Sequence, residues 1–295
     1  MNNLHGKVLY IDIETSPNLA TVWRAGYDQN VSSESICLER QVISIQYKVS
    51  GKNKVEVLTW TMPSSEEIKN IVKFVKGCKS IPSYNKKAAE FNLLAAAHSD
   101  KDILEKFSDI LNSYPVVVAQ NGDAFDIKWL KGRLLYHGLS PVSNLISVDT
   151  LKLSRKNFNL NSHSLDYKSK YLFGEGKIPT KYDMWLKVMA GDGKVLKELC
   201  FEYGSKDVVL LEKLFERMLP HCDSLPLTVR KMLFSIEKNP THCQLCDSIL
   251  LKNGTREVIS KAKGSIPGVY QRYICSNKAC RHPFTGTIAL SKLRK

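Results

Sequence analysis

The sequence predicts an α/β protein in which a mixed β-sheet is covered by helices on both faces, followed by a small cysteine-containing module. Three observations predict this architecture. Short apolar segments alternate with segments of helical spacing, in the approximate order βββ-α-β-α-β-α. Hydrophobic residues make up 43% and charged residues 24% of the 295 residues, which is ordinary for a globular protein. Four of the eight cysteines form two close pairs near the C-terminus.

Five segments are predicted as strands. The apolar segment 7–13 is typical of a buried central strand. The alternating segments 41–49 and 54–60 are separated by a Ser-Gly-Lys-Asn turn, which predicts a hairpin. Residues 116–119 and 146–148 are predicted as two further short strands.

Helical spacing predicts helices over residues 65–76, 101–113 and 125–137, and one or two more within 196–218. Residues 77–98 are predicted as a helical or loop insertion. The predicted domains are residues 1–220, a linker helix over 221–240, and a module with a basic tail over 241–295.

Three separated segments carry candidate catalytic carboxylates. Asp12 and Glu14 lie at the end of the first predicted strand, on the same face, because strand side chains alternate. Two neighbouring acids there repel each other unless a cation neutralises them. Asp126 lies near the start of a helix that follows the strand 116–119, and Asp123 is the expected helix cap.

Tyr203 and Asp207 have the i, i+4 spacing that places a phenol and a carboxylate on one helix face. Each of these patterns is common by itself. Together they provide four carboxylates and a phenol. Such a set suits hard cations like Mg²⁺, which prefer carboxylate oxygens and in pairs promote phosphodiester hydrolysis.

The pattern D-x-E, N-x-x-x-F-D and Y-x-x-x-D resembles the three exonuclease motifs of the DEDDy (DnaQ-like) 3′–5′ exonucleases. The segment 121–130 in particular is similar to the proofreading domain of family-B DNA polymerases, as are 162–165 and 171–174 with Lys177. The resemblance covers about residues 7–219 and implies a ribonuclease H-like fold. We expect a stand-alone domain without a polymerase domain, and the resemblance allows a phage origin.

The resemblance also implies residue roles. Asp12 would bridge two Mg²⁺ or Mn²⁺ ions, Glu14 and Asp207 would complete the tighter site, and Asp126 would hold the second ion. Tyr203 would orient the attacking water. Further residues would contact the 3′-terminal nucleotides: Thr15, Asn121, Phe125, Ser164 and Leu165. The helper lysine of the family matches either Lys177 or Lys181, and the sequence leaves both open.

Cys243 and Cys246, with Cys275 and Cys280, have the paired spacing of a structural Zn²⁺ site. The segment resembles a zinc ribbon. Residues 220–295 contain 13 Lys and Arg against four Asp and Glu. This charge favours contact with nucleic acid, and a ribbon that only stabilises the fold or binds protein is the alternative.

The net charge of +14 predicts a polyanionic partner. No apolar run approaches the ~20 residues of a membrane helix, and no signal peptide is evident, so we expect a cytoplasmic protein with no membrane partner, in the host cytoplasm if phage-encoded. The leading hypothesis is a stand-alone 3′–5′ exonuclease that hydrolyses DNA to nucleoside 5′-monophosphates, with replication or repair proteins as possible partners. The alternatives are an RNA-trimming exonuclease and a catalytically silent nucleic-acid-binding or polymerase accessory module.

Overall fold

A five-stranded mixed sheet forms the centre of the fold in the computed structural model of the protein. The structure describes residues 8–22, 31–114, 116–142, 145–222, 225, 242–243, 248–258, 268–278 and 283–289. The strands before the C-terminal module are β1 (Val8–Thr15), β2 (Leu19–Ala20), β3 (Ile36–Leu38), β4 (Val42–Val49), β5 (Glu56–Thr59), β6 (Val116–Ala119) and β7 (Ile146–Asp149).

The sheet order is β5-β4-β1-β6-β7. β4 pairs antiparallel with β1 and β5, and the β4–β5 hairpin lies where the alternating segments predict it. β6 pairs parallel with β1 and β7. β1 is therefore central, and its apolar residues are buried from both sides, as the sequence predicts. β2 and β3 form a separate two-stranded ribbon.

Helices cover both faces of this sheet. They are α1 (Ser65–Gly77), α2 (Lys86–Ala96), α3 (Lys101–Ser113), α4 (Asp126–Tyr136), α5 (Thr150–Asn157), α6 (Leu165–Phe173), α7 (Asp183–Met189), α8 (Gly193–Lys197), a π-helix (Glu198–Gly204) and α9 (Ser205–Met218). The predicted mixed sheet flanked by helices is confirmed. The insertion at 77–98 contains α2, and the single segment predicted over 196–218 is divided between the end of α8, the π-helix and α9.

The alternation of β1 divides the core into two clusters. Val8 and Tyr10 pack with α9 on one face of the sheet. Leu9, Ile11 and Ile13 pack with α3 and α4 on the other face. The even-numbered side chains of β1 therefore face α9, and this orientation includes Asp12 and Glu14.

One sequence prediction about α4 is wrong. Phe125, not Asp123, occupies the N-cap position, and its side chain makes no capping hydrogen bond. The Asp123 carboxylate instead accepts a hydrogen bond from Lys152 Nζ at 2.8 Å. Residues 122–125 form a turn, and the helix begins at Asp126 itself.

The C-terminal module contains β8 (Leu250–Val258), β9 (Gly268–Cys275) and β10 (Pro283–Ala289), which form a three-stranded antiparallel sheet in the order β10-β9-β8. Cys243 and Cys275 are buried. Cys246 and Cys280 lie outside the described residues, as does most of the predicted linker helix over 221–240.

None of the helices in the described ranges combines the length and apolarity needed to cross a membrane.

A buried ion-pair network fixes α4 against the sheet. Asp100, at the start of α3, is fully buried and accepts hydrogen bonds from Arg133 Nε and Nη2, both at 2.8 Å. It also accepts one from the backbone of Val42 at 2.9 Å and lies 2.7 Å from His137 Nε2. Burial opposes the charge of Asp100, but these hydrogen bonds outweigh it and lower its pKa.

Replacing Asp100 by alanine should destabilise the protein by about 3–5 kcal/mol, because it leaves the buried Arg133 guanidinium without its partner. Asp109 on the same helix is exposed, and Asp109→Ala is the matched control, expected to change stability by less than about 0.5 kcal/mol. Urea unfolding of both variants measures the difference. Equal stability of the two variants would contradict the importance of this network.

Candidate active site

The site lies where β1 extends beyond its parallel neighbour. β1 and β6 pair only through Val8–Tyr10 and Val116–Val118, so Asp12 and Glu14 follow the last paired residues. On the other side, Asp12 lies opposite Gln46 and Glu14 opposite Ser44 of β4. Both carboxylates therefore lie at the end of β1, beyond its pairing with β6 and opposite buried residues of β4.

Asp126 fills part of the gap left by β6. Its Oδ1 accepts a hydrogen bond from the backbone N–H of Ile13 at 3.1 Å, and its side chain is 3% exposed. Ile13 lies between Asp12 and Glu14, so this bond holds the α4 carboxylate directly beside the β1 pair. The contact also satisfies a strand N–H beyond the last pairing of β1 with β6.

The third segment approaches through an irregular helix. The i, i+4 spacing of Tyr203 and Asp207 predicts that both lie on one continuous α-helix. Instead, Tyr203 lies in the π-helix and Asp207 in α9. A Cβ on Gly204 would lie 2.5 Å from the Gln46 side chain, so glycine is required for this close approach. Gln46 Nε2 donates to the backbone oxygen of Cys200 at 3.3 Å, which ties the π-helix to β4. π-helical turns of this kind often occur at functional sites.

Lys177, rather than Lys181, reaches the site. Its Nζ lies 2.5 Å from Oδ2 of the buried Asp207 and 5.1 Å from the ring centroid of Tyr203. Its backbone N–H donates to Asp166 Oδ1 at 2.8 Å, which holds the loop against α6. Lys181 is exposed on the following loop. The structure thereby distinguishes two candidates that the sequence leaves equivalent.

Trp185 on α7 is a site residue that the sequence motifs miss. Its Nε1 donates to Glu14 Oε2 at 3.2 Å, and its ring meets the Tyr203 ring edge-on, with centroids 6.4 Å apart. No spacing relates Trp185 to the carboxylate motifs. From sequence alone, a tryptophan in a short amphipathic helix is as typical of core packing as of a functional site.

The carboxylates repel one another strongly. The pKa of Asp12 is raised well above its usual value by burial, and then by the charges of Asp126, Glu14 and Asp207. Burial is also the main cause that raises the pKa of Glu14 to about 7 and that of Asp126 to about 7. The pKa of Asp207 is raised as well, because burial outweighs the favourable charge of Lys177.

Lys177 shows the opposite effect. Burial opposes its charge, but Asp207 and the Tyr203 hydroxyl outweigh burial and raise its pKa. Among the described residues, the single ammonium of Lys177 thus faces four acids, so the site has less positive charge than is needed to neutralise them. Oδ1 of Asp207 is buried and makes no hydrogen bond to any residue that the structure describes.

These observations fit a site for hard cations, since the donors are carboxylate oxygens and one of them is buried without a partner. In the described ranges, no three His, Cys, Asp or Glu side chains are arranged closely enough to enclose a metal ion.

The residues expected to contact nucleotides differ in their accessibility. Asn121 is exposed and has φ +63°, and Phe125 and Thr15 are partly exposed. Leu165 is buried in the core. Ser164 is exposed, and its Oγ caps α6 by accepting a hydrogen bond from the Tyr167 backbone at 3.2 Å.

Comparison with known proteins is consistent with this architecture. Residues 90–219 match the model RNase_H_2 of the RNase_H superfamily. The span contains Asp126, Lys177, Tyr203 and Asp207, and β1 lies before it. The mixed sheet with helices on both faces fits the RNase H-like fold, and the match supports a nuclease-like domain.

Two polymerases also resemble this chain. A DNA polymerase of Methanocaldococcus jannaschii is 22% identical over 191 residues, which cover 57% of this chain and 11% of the polymerase. The structure of the family B DNA polymerase from the hyperthermophilic archaeon Pyrobaculum calidifontis has a TM-score of 0.42 and 17% identity, over 72% of this chain and 24% of that one. The chain spans less than a quarter of the length of either polymerase.

The raised carboxylate pKa values predict that the protein becomes less stable as the pH rises in EDTA. The folded pKa of Asp126 and Glu14, about 7, lies above the usual 3.8 and 4.5, so the folded state binds protons more tightly. Stability should therefore fall between about pH 4 and pH 7, by on the order of 5 kcal/mol. Thermal unfolding across this range measures the effect.

Asp126→Asn keeps the acceptor for Ile13 but loses the charge, so its dependence on pH should be weaker than that of the wild type. Asp109→Asn is the exposed control and should behave like the wild type. A wild-type Tm that is constant or rises across this pH range would contradict the electrostatic description.

Proposed function

We propose that this protein is a two-metal-ion 3′–5′ exonuclease that hydrolyses DNA from a free 3′ end and releases nucleoside 5′-monophosphates. The observation that carries the proposal is the convergence of four carboxylates from β1, α4 and α9, with Lys177 and Tyr203 at their edge. The superfamily match supports nuclease chemistry, and the similarity to the DNA polymerase of Methanocaldococcus jannaschii supports DNA as the substrate.

Asp12, Glu14, Asp126 and Asp207 would hold Mg²⁺ or Mn²⁺. When bound, these ions supply Lewis-acid stabilisation of phosphate oxygens and lower the pKa of water. Tyr203 is partly exposed and presents a hydroxyl that can orient a water molecule by a hydrogen bond. Lys177 favours the ionised form of Asp207 against the effect of burial, and Trp185 donates a hydrogen bond to Glu14, so both residues position acidic groups.

The reaction adds one water molecule across the last phosphodiester bond. The water oxygen bonds to phosphorus, and the bond from phosphorus to the 3′ oxygen of the preceding nucleotide breaks. That oxygen takes up a proton and becomes the new 3′ hydroxyl. The products are a nucleoside 5′-monophosphate and a strand shorter by one residue. Thr15, Asn121 and Phe125 are proposed to contact the terminal nucleotides, together with the exposed Ser164. Leu165 is not part of this proposal, because it is buried in the core.

We further propose that Cys243, Cys246, Cys275 and Cys280 bind one structural Zn²⁺. In support, Cys243 and Cys275 are buried, and the backbone N–H of Cys243 donates to the backbone oxygen of Ser248 at 2.6 Å. Short turns with paired cysteines are typical of such sites.

With Mg²⁺ or Mn²⁺, a 5′-labelled DNA strand should yield a ladder of shortening products, and a blocked 3′ end should resist degradation. RNA of the same sequence should be degraded more slowly. Asp12→Asn should lower kcat by more than about 100-fold without lowering Tm, since it removes a like charge from the cluster. Asp109→Asn is the control. Rapid release of the 5′ label as a mononucleotide would contradict the polarity, and faster digestion of RNA would contradict the substrate.

Lys177→Met should lower kcat/KM about 10- to 100-fold, because Asp207 loses the ammonium that stabilises its charge. The acidic limb of the pH profile should also move to higher pH. Lys181→Met is the matched control from the same loop and should retain activity within about twofold. An equal loss in the two variants would contradict the assignment of Lys177.

The purified protein should contain about one zinc ion per chain by elemental analysis, and replacing Cys243 and Cys246 by serine should abolish this content. Cys37 is exposed and distant in sequence, so Cys37→Ser is the control and should retain zinc. Zinc content unaffected by the double substitution would contradict the site.

A further inference from the structure

Lys168 on α6 is completely buried, although lysine rarely is. It follows the motif segment that begins at Ser164 and shares the buried face of α6 with Leu165 and Ser169. Its Nζ donates to Gln120 Oε1 at 3.0 Å and lies 3.4 Å from the backbone oxygen of Thr150. Lys168 makes no contact with the carboxylate site in the described hydrogen bonds and ion pairs.

Asp149 provides the opposite charge. Its Oδ1 accepts backbone hydrogen bonds from Asn121 at 3.0 Å and from Leu151 at 2.9 Å. Its Oδ2 is buried and has no hydrogen-bond partner among the described residues. Burial lowers the pKa of Lys168 to about 8, and the charge of Asp149 opposes that effect. The charge of Asp149 also contributes to the raised pKa of Asp126.

The ammonium is part of a network at the end of β6. Gln120 Oε1 also accepts from Thr150 Oγ1 at 2.7 Å, and Gln120 Nε2 donates to the His163 backbone at 3.0 Å. The chain then turns sharply. Asn121 has φ +63°. Its backbone oxygen accepts a hydrogen bond at 3.0 Å from the backbone N–H of Phe125, the residue that precedes Asp126.

Space in this turn is restricted. A Cβ on Gly122 would lie 2.4 Å from Ala119 Cβ, so the backbone cannot accept a side chain there. The Asn121 turn therefore depends on three supports: the Asp149 carboxylate, the Gln120 side chain, and the absence of a side chain at Gly122. Lys168 contacts the second support and balances the charge of the first.

We propose that Lys168 is a positioning residue, whose buried ammonium holds Gln120 and offsets Asp149 so that the Asn121 turn places Phe125 and Asp126 in the site. This inference rests on the proposed function, because the turn matters for catalysis only if the site hydrolyses DNA. Lys168 acts through the turn and does not touch the substrate. Its effect is therefore separable from that of Lys177, which adjoins Asp207 directly.

The test compares Lys168→Met with Lys170→Met in the full chain. Lys170 lies on the same helix, is exposed and pairs with Asp166. Lys168→Met should lower kcat/KM on DNA about 10- to 100-fold, and Lys170→Met should change it by less than about twofold. Amide hydrogen exchange in the peptide covering residues 120–127 should become faster in Lys168→Met and stay unchanged in Lys170→Met.

A second substitution distinguishes charge balance from packing. Asn at position 149 keeps an oxygen for the backbone N–H groups but carries no charge. The double variant Asp149→Asn, Lys168→Met should therefore recover most of the lost activity and the slow exchange of the single Lys168→Met variant. If Lys168→Met does not fold, a double variant that folds supports the charge role, and one that also fails to fold overturns it.

Exchange and activity together separate this inference from the proposed function. Unchanged exchange at residues 120–127 in Lys168→Met overturns the positioning role, whether or not the wild type degrades DNA. Additive losses in the double variant also overturn it. If the wild type does not degrade DNA but exchange accelerates in Lys168→Met alone, the proposed function fails and the support of the turn by Lys168 stands.

Discussion

The mutual repulsion of four carboxylates at one end of β1 is the constraint on which the site depends. Burial disfavours the charged form of each, and their proximity adds to the cost. A fold that keeps these carboxylates together must hold each one in place through contacts with other residues, and it must supply positive charge near them. Lys177 supplies one charge, at Asp207. A divalent cation is the chemically natural source of the rest, which is why we propose that the cluster serves metal-dependent hydrolysis.

The supports of the cluster come from the whole domain. Asp126 is held from one side by the Ile13 backbone, and α4 is held from the other by the Asp100–Arg133 pair. The Asn121 turn is held by Asp149. The four carboxylates thus lie on β1, α4 and α9, while buried contacts elsewhere in the domain fix those elements. If the site is catalytic as proposed, positions well away from the carboxylates should influence its activity.

The sheet was predictable because apolar periodicity identifies β1, β6 and the β4–β5 hairpin from local sequence alone. The carboxylates were also accessible to sequence reasoning, since Asp12 and Glu14 alternate on a strand and Asp126 follows another strand. The π-helix was not, because its i→i+5 hydrogen bonding has no sequence signature distinct from that of an α-helix. The contact of Trp185 on α7 with Glu14, and the choice of Lys177 over Lys181, both depend on tertiary contacts that local sequence does not reveal. The failed Asp123 cap shows that turn geometry before α4 overrides cap preference.

Calorimetric titration of the wild-type protein with Mn²⁺ near pH 7, in buffers of different ionisation enthalpy, tests the central claim most directly. Asp126 and Glu14 have pKa values of about 7, so cation binding should displace protons from them. The account predicts Mn²⁺ binding with net proton release, and a smaller release in Asp126→Asn than in the exposed control Asp109→Asn. Absence of binding, or binding without any proton release, would contradict it.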